Sequence, residues 1–89
     1  MKIPITSELK IICKKIQEEG LNASQWAEIE SCDMFQLGSF NGGFDATVQE
    51  FCFSYYTENN IEFWFQFSLE TAIEICNGQF PQIIGRLAE

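Results

Sequence analysis

The sequence predicts a small α+β domain, in which helices pack on one face of a three-stranded antiparallel meander sheet. Three observations predict this class: a helical apolar stripe near the amino end, a β-rich middle with hairpin signals, and a second helical stripe near the carboxyl end. The expected order is helix, short helix, three strands, helix and short tail. A chain of 89 residues is too short for two cores, so we expect one domain over 1–89.

The first helix is predicted to begin at Thr6 or Ser7, because either side chain can cap its amino end. Gly20 is placed to end it in a left-handed conformation. The apolar residues of this segment recur at the spacing of a single helix face. They are Leu9, Ile12, Cys13 and Ile16.

A second, short helix is predicted after Gly20. Asn22 and Gln25 are spaced as N-cap and N3 residue of a capping box, and Leu21 and Trp26 occupy the hydrophobic staple positions. The helix is expected to end near Ser31. Residues 27–32 also show a weak strand-like alternation, so this segment has two interpretations.

The middle of the chain has the composition of β-structure. Asn41-Gly42 is a strong two-residue hairpin signal, since both central positions of a type I′ turn need a positive φ. It predicts a turn that joins a strand over 35–40 to a strand beginning at Gly43 and continuing through the β-rich residues 48–57. Residues 61–67 are predicted as the last strand.

The register of the last hairpin follows from where its aromatic residues fall. A three-residue loop over 58–60 places every large apolar side chain of both strands on one face, in cross-strand pairs. The predicted pairs are Tyr55 with Phe63, Phe53 with Phe65, and Phe51 with Phe67. A four-residue loop would set Phe opposite Glu and Gln instead. We therefore expect the shorter loop, with Asn60 in the left-handed conformation.

The carboxyl-terminal part is predicted to be helical. Ser68 is a good N-cap and Gly78 a stop signal for a helix between them. Its apolar stripe is Leu69, Ala72, Ile73 and Cys76. Pro81 is expected to start a final helical turn. Its apolar contacts would be Ile83, Ile84 and Leu87.

Composition excludes several classes of function. The chain has 13 acidic and 5 basic residues, a net charge of −8 and no histidine, so histidine-based catalysis and histidine metal ligation are excluded. Binding to phosphate, nucleic acid or an anionic membrane needs a positively charged protein surface. The glycines over 38–43 lack the ending of a phosphate-binding loop. We therefore expect no enzyme activity, no cofactor or metal, no direct nucleic-acid binding and no membrane contact.

The cysteines and the amino end indicate the compartment. Metal-type spacing is absent among the four cysteines, and the first residues lack the apolar stretch of a secretory signal. The prediction is a cytoplasmic protein with reduced, mostly buried thiols. Two disulfides are the alternative in a secreted chain. The cysteines are Cys13, Cys32, Cys52 and Cys76.

Charge is distributed unevenly along the chain. Residues 16–85 contain eleven acids and no Lys or Arg. The sequence therefore predicts that the surface is uniformly negative everywhere except at the first helix and the tail. Net charge of this kind either serves solubility alone or attracts a basic partner. The five bases are Lys2, Lys10, Lys14, Lys15 and Arg86.

The most specific candidate surface is the sheet face opposite the phenylalanines. An exposed aromatic anchor rimmed by charge is typical of protein interfaces. The alternative for its tryptophan is burial beneath a helix. The candidate partner-binding residues are Trp64, Tyr56, Glu62, Glu50, Glu58 and Asp45.

These features predict a non-enzymatic acidic interaction protein. We expect an inhibitor, immunity or regulatory protein that binds a basic, nucleic-acid-handling protein through its negative surface. Small acidic domains encoded by phages or paired with toxins share this profile, which is an analogy of class and not of family. The alternative is a structural or accessory subunit, which forms a homodimer or docks in a larger assembly through its aromatic sheet face or a strand edge.

Overall fold

A computed structural model of the chain describes residues 1–19, 35–45 and 47–88. These residues form two helices and five strands, and the strands lie in the sheet in chain order, each antiparallel to the next. The elements are α1 (Ser7–Glu19), β1 (Phe35–Leu37), β2 (Phe40–Asp45), β3 (Glu50–Tyr56), β4 (Glu62–Phe67), α2 (Leu69–Cys76) and β5 (Arg86–Leu87). The α+β class with an antiparallel sheet is confirmed. The strand number was predicted wrongly, and so was the arrangement of helices.

The amino end of α1 is capped as its sequence predicts. Thr6 Oγ1 accepts a hydrogen bond from the Leu9 N–H at 3.3 Å, and the Thr6 carbonyl accepts one from the Lys10 N–H at 3.1 Å. All four residues of the predicted apolar stripe are buried. The stop at Gly20 and the short second helix fall between α1 and β1, outside the described residues.

Both predicted ends of α2 are confirmed. Ser68 is extended and accepts a hydrogen bond from the Thr71 N–H at 3.2 Å, which is the N-cap geometry. At the other end, Gly78 has φ +84°, and the Gln79 N–H donates to the Glu74 carbonyl at 3.0 Å, as in a Schellman motif.

The buried face of α2 differs from the predicted stripe. Ala72 and Ile75 are its buried residues, whereas Ile73 is only half-buried. Leu69 and Cys76 pack at the border of the core. The helix is therefore rotated so that Ile75, which the predicted stripe left out, points into the core.

The first hairpin turns earlier than predicted. Its two-residue loop is Gly38-Ser39, with a positive φ at Gly38, whereas Asn41 and Gly42 lie inside β2. A turn at Asn41-Gly42 would place Phe40 and Phe44 on opposite faces of the sheet. In the observed register both are buried in the core. Burial of two phenylalanines therefore outweighs the local turn preference.

The predicted second strand is in fact two strands. The chain turns back between β2 and β3, with Asp45 paired to Glu50 on either side of the loop. Asp45 Oδ1 accepts a hydrogen bond from the Thr47 N–H at 2.8 Å, and Gln49 has a φ of 55°. This local side-chain bond stabilises a turn that contains no glycine or proline.

The last hairpin is as predicted. Tyr55 pairs with Phe63, Phe53 with Phe65, and Phe51 with Phe67, and Asn60 has a φ of 60°. The carboxyl-terminal residues, predicted as a helical turn, are extended instead. There Arg86 pairs with Trp64 of β4, and Ile84 forms an antiparallel bridge with Lys2. Pairing with the edge of β4 supplies backbone hydrogen bonds that a short, glycine-containing helix cannot match.

The core lies between the helices and the face of the sheet that carries the phenylalanines, which we call the Phe face. Its rings stack across the strands, with centroids of Phe51 and Phe67 at 5.6 Å and of Phe53 and Phe65 at 5.9 Å. Side chains of α1 and α2 belong to the same buried cluster. The opposite face of the sheet is thereby left as the candidate surface.

Candidate functional site

The side of the sheet opposite the Phe face is called the outer face here. Side chains alternate along a strand, so residues 52, 54 and 56 of β3 and 62, 64 and 66 of β4 point to this side. Strand pairing aligns one row of side chains across all five strands. That row is Gln36, Asn41, Ser54, Trp64 and Arg86.

The carboxylate of Glu62 is the centre of the outer face. Its Oε2 accepts hydrogen bonds from Ser54 Oγ at 2.6 Å, Trp64 Nε1 at 2.9 Å and Tyr56 Oη at 3.3 Å. The register explains the convergence, because Tyr56 lies opposite Glu62, and Ser54 lies opposite Trp64. The Ser54 hydrogen bond, followed by that of Trp64, lowers the pKa of Glu62, so this carboxylate is charged at neutral pH.

Two aromatic side chains of the outer face are exposed beside this carboxylate. Trp64 is 43% and Tyr56 is 37% exposed, so the alternative in which Trp64 is buried beneath a helix is wrong. The hydrogen bond from Nε1 to Glu62 fixes the orientation of the indole. An apolar ring is therefore presented at a defined angle next to a negative charge.

The other candidate residues lie further from this centre. Glu50 Oε1 accepts a hydrogen bond from Gln66 Nε2 at 2.8 Å on the outer face. Asp45 stands at the end of β2, where it holds the turn, and its Oδ2 lies 3.9 Å from Cys52 Sγ. Glu58 is exposed in the loop between β3 and β4. The structure thus joins Trp64, Tyr56 and Glu62 directly, and Glu50 and Asp45 lie on the same face.

A hollow of about 510 Å³ opens on the outer face. It exists because β3 carries small side chains, Cys52 and Ser54, between longer side chains of the neighbouring strands. One amide at this hollow is unusual: Asn41 Oδ1 is buried, and no described residue donates a hydrogen bond to it. The longer side chains that line the hollow are Asn41, Trp64, Gln66, Ile84 and Arg86.

The outer face has a basic edge that the sequence did not predict. Arg86 lies opposite Trp64 and lines the hollow, and Lys2 lies opposite Ile84 on the same side of the sheet. The expectation of a single negative sign is therefore wrong along this edge. It failed because the strand pairing that brings Arg86 here was not predicted.

The described cysteines are thiols rather than disulfides. Burial, and secondarily the neighbouring Cys76, raise the pKa of Cys13 to about 12. Burial also raises the pKa of Cys76. Neither thiol is activated as a nucleophile. Cys32 falls outside the described residues.

Within 1–19, 35–45 and 47–88, no three His, Cys, Asp or Glu side chains are grouped so as to hold a metal ion. Neither helix in these ranges has the length and apolar character needed to cross a membrane. Comparison of the chain with protein-family models, curated proteins and solved structures finds no match.

Proposed function

We propose that this protein is a non-enzymatic interaction protein, whose outer face binds the basic surface of a partner protein. The observation that carries the proposal is the ionised carboxylate of Glu62, held by three hydrogen bonds beside the exposed indole of Trp64. Anchors of this kind, an aromatic ring with charge at its rim, dominate the energy of protein interfaces.

Electrostatics favours a cationic partner. The chain carries a net charge of −8, and Glu50 and Asp45 lie on the same face as Glu62. Such a field attracts basic proteins and raises their association rate at low salt. A partner that uses its basic surface to bind nucleic acid would lose that surface on binding. The cellular role would then be inhibition, immunity or regulation of a nucleic-acid-handling protein.

Preorganisation favours the same conclusion. The hydrogen bond from Trp64 to Glu62 restricts the indole before any partner arrives, and Gln66 restricts Glu50 in the same way. Side chains that are already ordered lose less conformational entropy on binding. The hydrogen-bonded outer face is therefore suited to recognition without rearrangement.

The test is affinity capture followed by measurement with a purified partner. The immobilised protein is exposed to lysate at low and high salt, and the captured proteins are identified by mass spectrometry. The best-enriched basic protein is then purified and titrated against Trp64→Ala. The control is Phe80→Ala, which removes another aromatic side chain, 67% exposed, whose ring lies beneath the Lys10 ammonium of α1. We expect loss of affinity only for Trp64→Ala, and equal affinity of the two variants would reject the proposal.

A homodimer through the outer face is a second candidate function. It is favoured by the basic edge, because a two-fold axis along β4 would set Lys2 and Arg86 of one copy over the acidic strands of the other. Two copies that each carry −8 repel one another overall. A homodimer should give the isolated protein a mass that rises with its concentration in light scattering, whereas a protein that binds only a basic partner should stay monomeric at all concentrations.

A further inference from the structure

We propose that the hollow of the outer face binds a small organic molecule that carries one carboxylate on a planar apolar body. The described residues that line the hollow include one cation, Arg86, and no acid. The volume of about 510 Å³ lies in the range of small-molecule sites. This inference goes beyond the docking function, because it depends on the lining of the hollow and not on the carboxylates of Glu50 and Glu62.

The strand register separates the charges around the hollow. Arg86 lies on β5, at the side of the hollow where Lys2 also reaches the outer face. Glu50 and Glu62 lie on β3 and β4, and neither lines the hollow. Coulomb energy falls with distance and is screened by salt, so an ion pair in contact with Arg86 outweighs repulsion by the two carboxylates. The carboxylate of a ligand is therefore expected on the β5 side.

Several neutral donors that line the hollow already donate to carboxylates of the protein. Ser54 Oγ and Trp64 Nε1 donate to Glu62. Gln66 Nε2 donates to a second carboxylate. The guanidinium of Arg86 has five N–H donors in a planar fork, which matches the two oxygens of an incoming carboxylate. One positive charge also suits a monoanion better than a phosphate, because the nearby carboxylates repel a dianion more strongly.

Two exposed apolar side chains of the lining predict the apolar body of the ligand. Trp64 is 43% and Ile84 is 66% exposed, and burial of this surface by a ligand favours binding. The hydrogen bond from Trp64 to Glu62 fixes the indole, so a planar ligand can stack on it at little cost in side-chain entropy. Trp64 and Arg86 are neighbours across β4 and β5, so one ligand that joins a flat ring to a carboxylate can contact both.

The experiment uses cinnamate as the probe and ¹H–¹⁵N NMR of the intact protein as the readout. We expect saturable displacement of the Trp64 indole N–H signal and of the backbone signals of 84–86. Cinnamamide has nearly the same shape without the charge, and should bind at least about fivefold more weakly because it cannot form the ion pair. Acetate keeps the carboxylate but lacks the ring, and should also bind at least about fivefold more weakly.

Three variants locate the site. Arg86→Gln should weaken the binding of cinnamate at least about fivefold, because the ion pair is lost. Arg86→Lys keeps the charge without the planar fork, so its affinity should lie between those of Arg86→Gln and the unchanged protein. Lys14→Gln removes the same charge from an exposed position on α1 and should leave the binding unchanged. The same NMR spectra show whether each variant is folded.

Any of three results would overturn the inference. The first is that cinnamate causes no saturable displacement, and the second is that cinnamamide or acetate binds as tightly as cinnamate. The third is an equal loss of binding in Arg86→Gln and Lys14→Gln, which would mean that the overall charge, and not the hollow, determines the affinity. The proposed docking function would survive each result, because it is tested separately by the response of the purified partner to Trp64→Ala.

Discussion

The two faces of the sheet are built from the same strands but have opposite properties. On the Phe face, Phe51 and Phe53 are buried and stack on the rings of β4. On the outer face, β3 instead presents Glu50, Cys52, Ser54 and Tyr56, and the aromatic Trp64 of β4 is left partly in solvent. The Phe face accounts for folding through the burial of apolar area. Folding does not require an exposed indole bonded to a carboxylate, so the outer face is where binding is expected.

The largest expected effect of a substitution is a loss of stability on the Phe face. Phe51→Ala removes a fully buried ring that stacks on Phe67, and should reduce the free energy of unfolding by about 3–5 kcal/mol. Denaturant unfolding measures this loss. The control Phe80→Ala removes an exposed ring and should cost less than about 1 kcal/mol. Similar losses in the two variants would mean that the Phe face is not the core.

Trp64→Ala should have the reverse pattern. Its effect on the free energy of unfolding is expected to stay below about 1 kcal/mol, because the ring is partly exposed. Its effect on the affinity for a basic partner should be at least about 2 kcal/mol, the size of an interface hot spot. Thermal unfolding and calorimetric titration of the same preparation measure both. A folded variant that loses several kcal/mol of stability and keeps its affinity would contradict the role of Trp64 as a binding anchor.

Gly42→Ala tests how closely β2 packs against β3 at Gly42. A methyl group at this position would lie 2.7 Å from the Phe53 Cα and would collide with the neighbouring strand. We expect a loss of about 1–3 kcal/mol in the free energy of unfolding, as for other overpacked sites. A neutral effect in denaturant unfolding would contradict the close packing of Gly42 against β3.

The smallest expected effect is a pH dependence at Glu62. Its pKa is lowered in the folded state, mainly by the Ser54 hydrogen bond, so the folded protein holds this proton less tightly than the unfolded chain. The associated stability is present above the ordinary pKa of a glutamate and is lost as the pH falls through the lowered value. Ser54→Ala should raise the pKa of Glu62, as followed by NMR of its carboxyl carbon. An unchanged pKa would contradict the hydrogen-bonded centre.

Sequence patterns predicted the pairing of β3 with β4, two strands that are consecutive in the chain. The register of β3 with β4 was predictable because only one loop length puts the aromatic residues opposite one another. The first hairpin was not, since Gly38-Ser39 and Asn41-Gly42 are both turn signals and only the burial of Phe40 and Phe44 decides between them. Gly38 before Ser39 is the sequence signal for a type II′ turn, and giving it weight would have located the hairpin.

For the candidate site, the sequence predicted only which side chains share a face of the sheet, because side chains alternate between the two faces along a strand. Residues 56, 62 and 64 share a face by parity, so their proximity followed from the sequence. The basic edge did not, because β5 joins β4 across almost twenty residues and Lys2 reaches Ile84 from the opposite end of the chain. The hydrogen bonds that converge on one oxygen of Glu62 depend on side-chain conformations, which periodicity does not specify.

The central claim is that recognition depends on where the carboxylates stand, and not on how many there are. Two double variants test it with the same change of charge: Glu50→Gln with Glu62→Gln on the outer face, and Glu70→Gln with Glu74→Gln on the exposed side of α2. The measurement is the dissociation constant of the purified basic partner at physiological salt. The outer-face pair should weaken binding by about tenfold or more and the helix pair by less than about twofold. Equal weakening by both pairs would contradict the claim and leave the charge with a role in solubility alone.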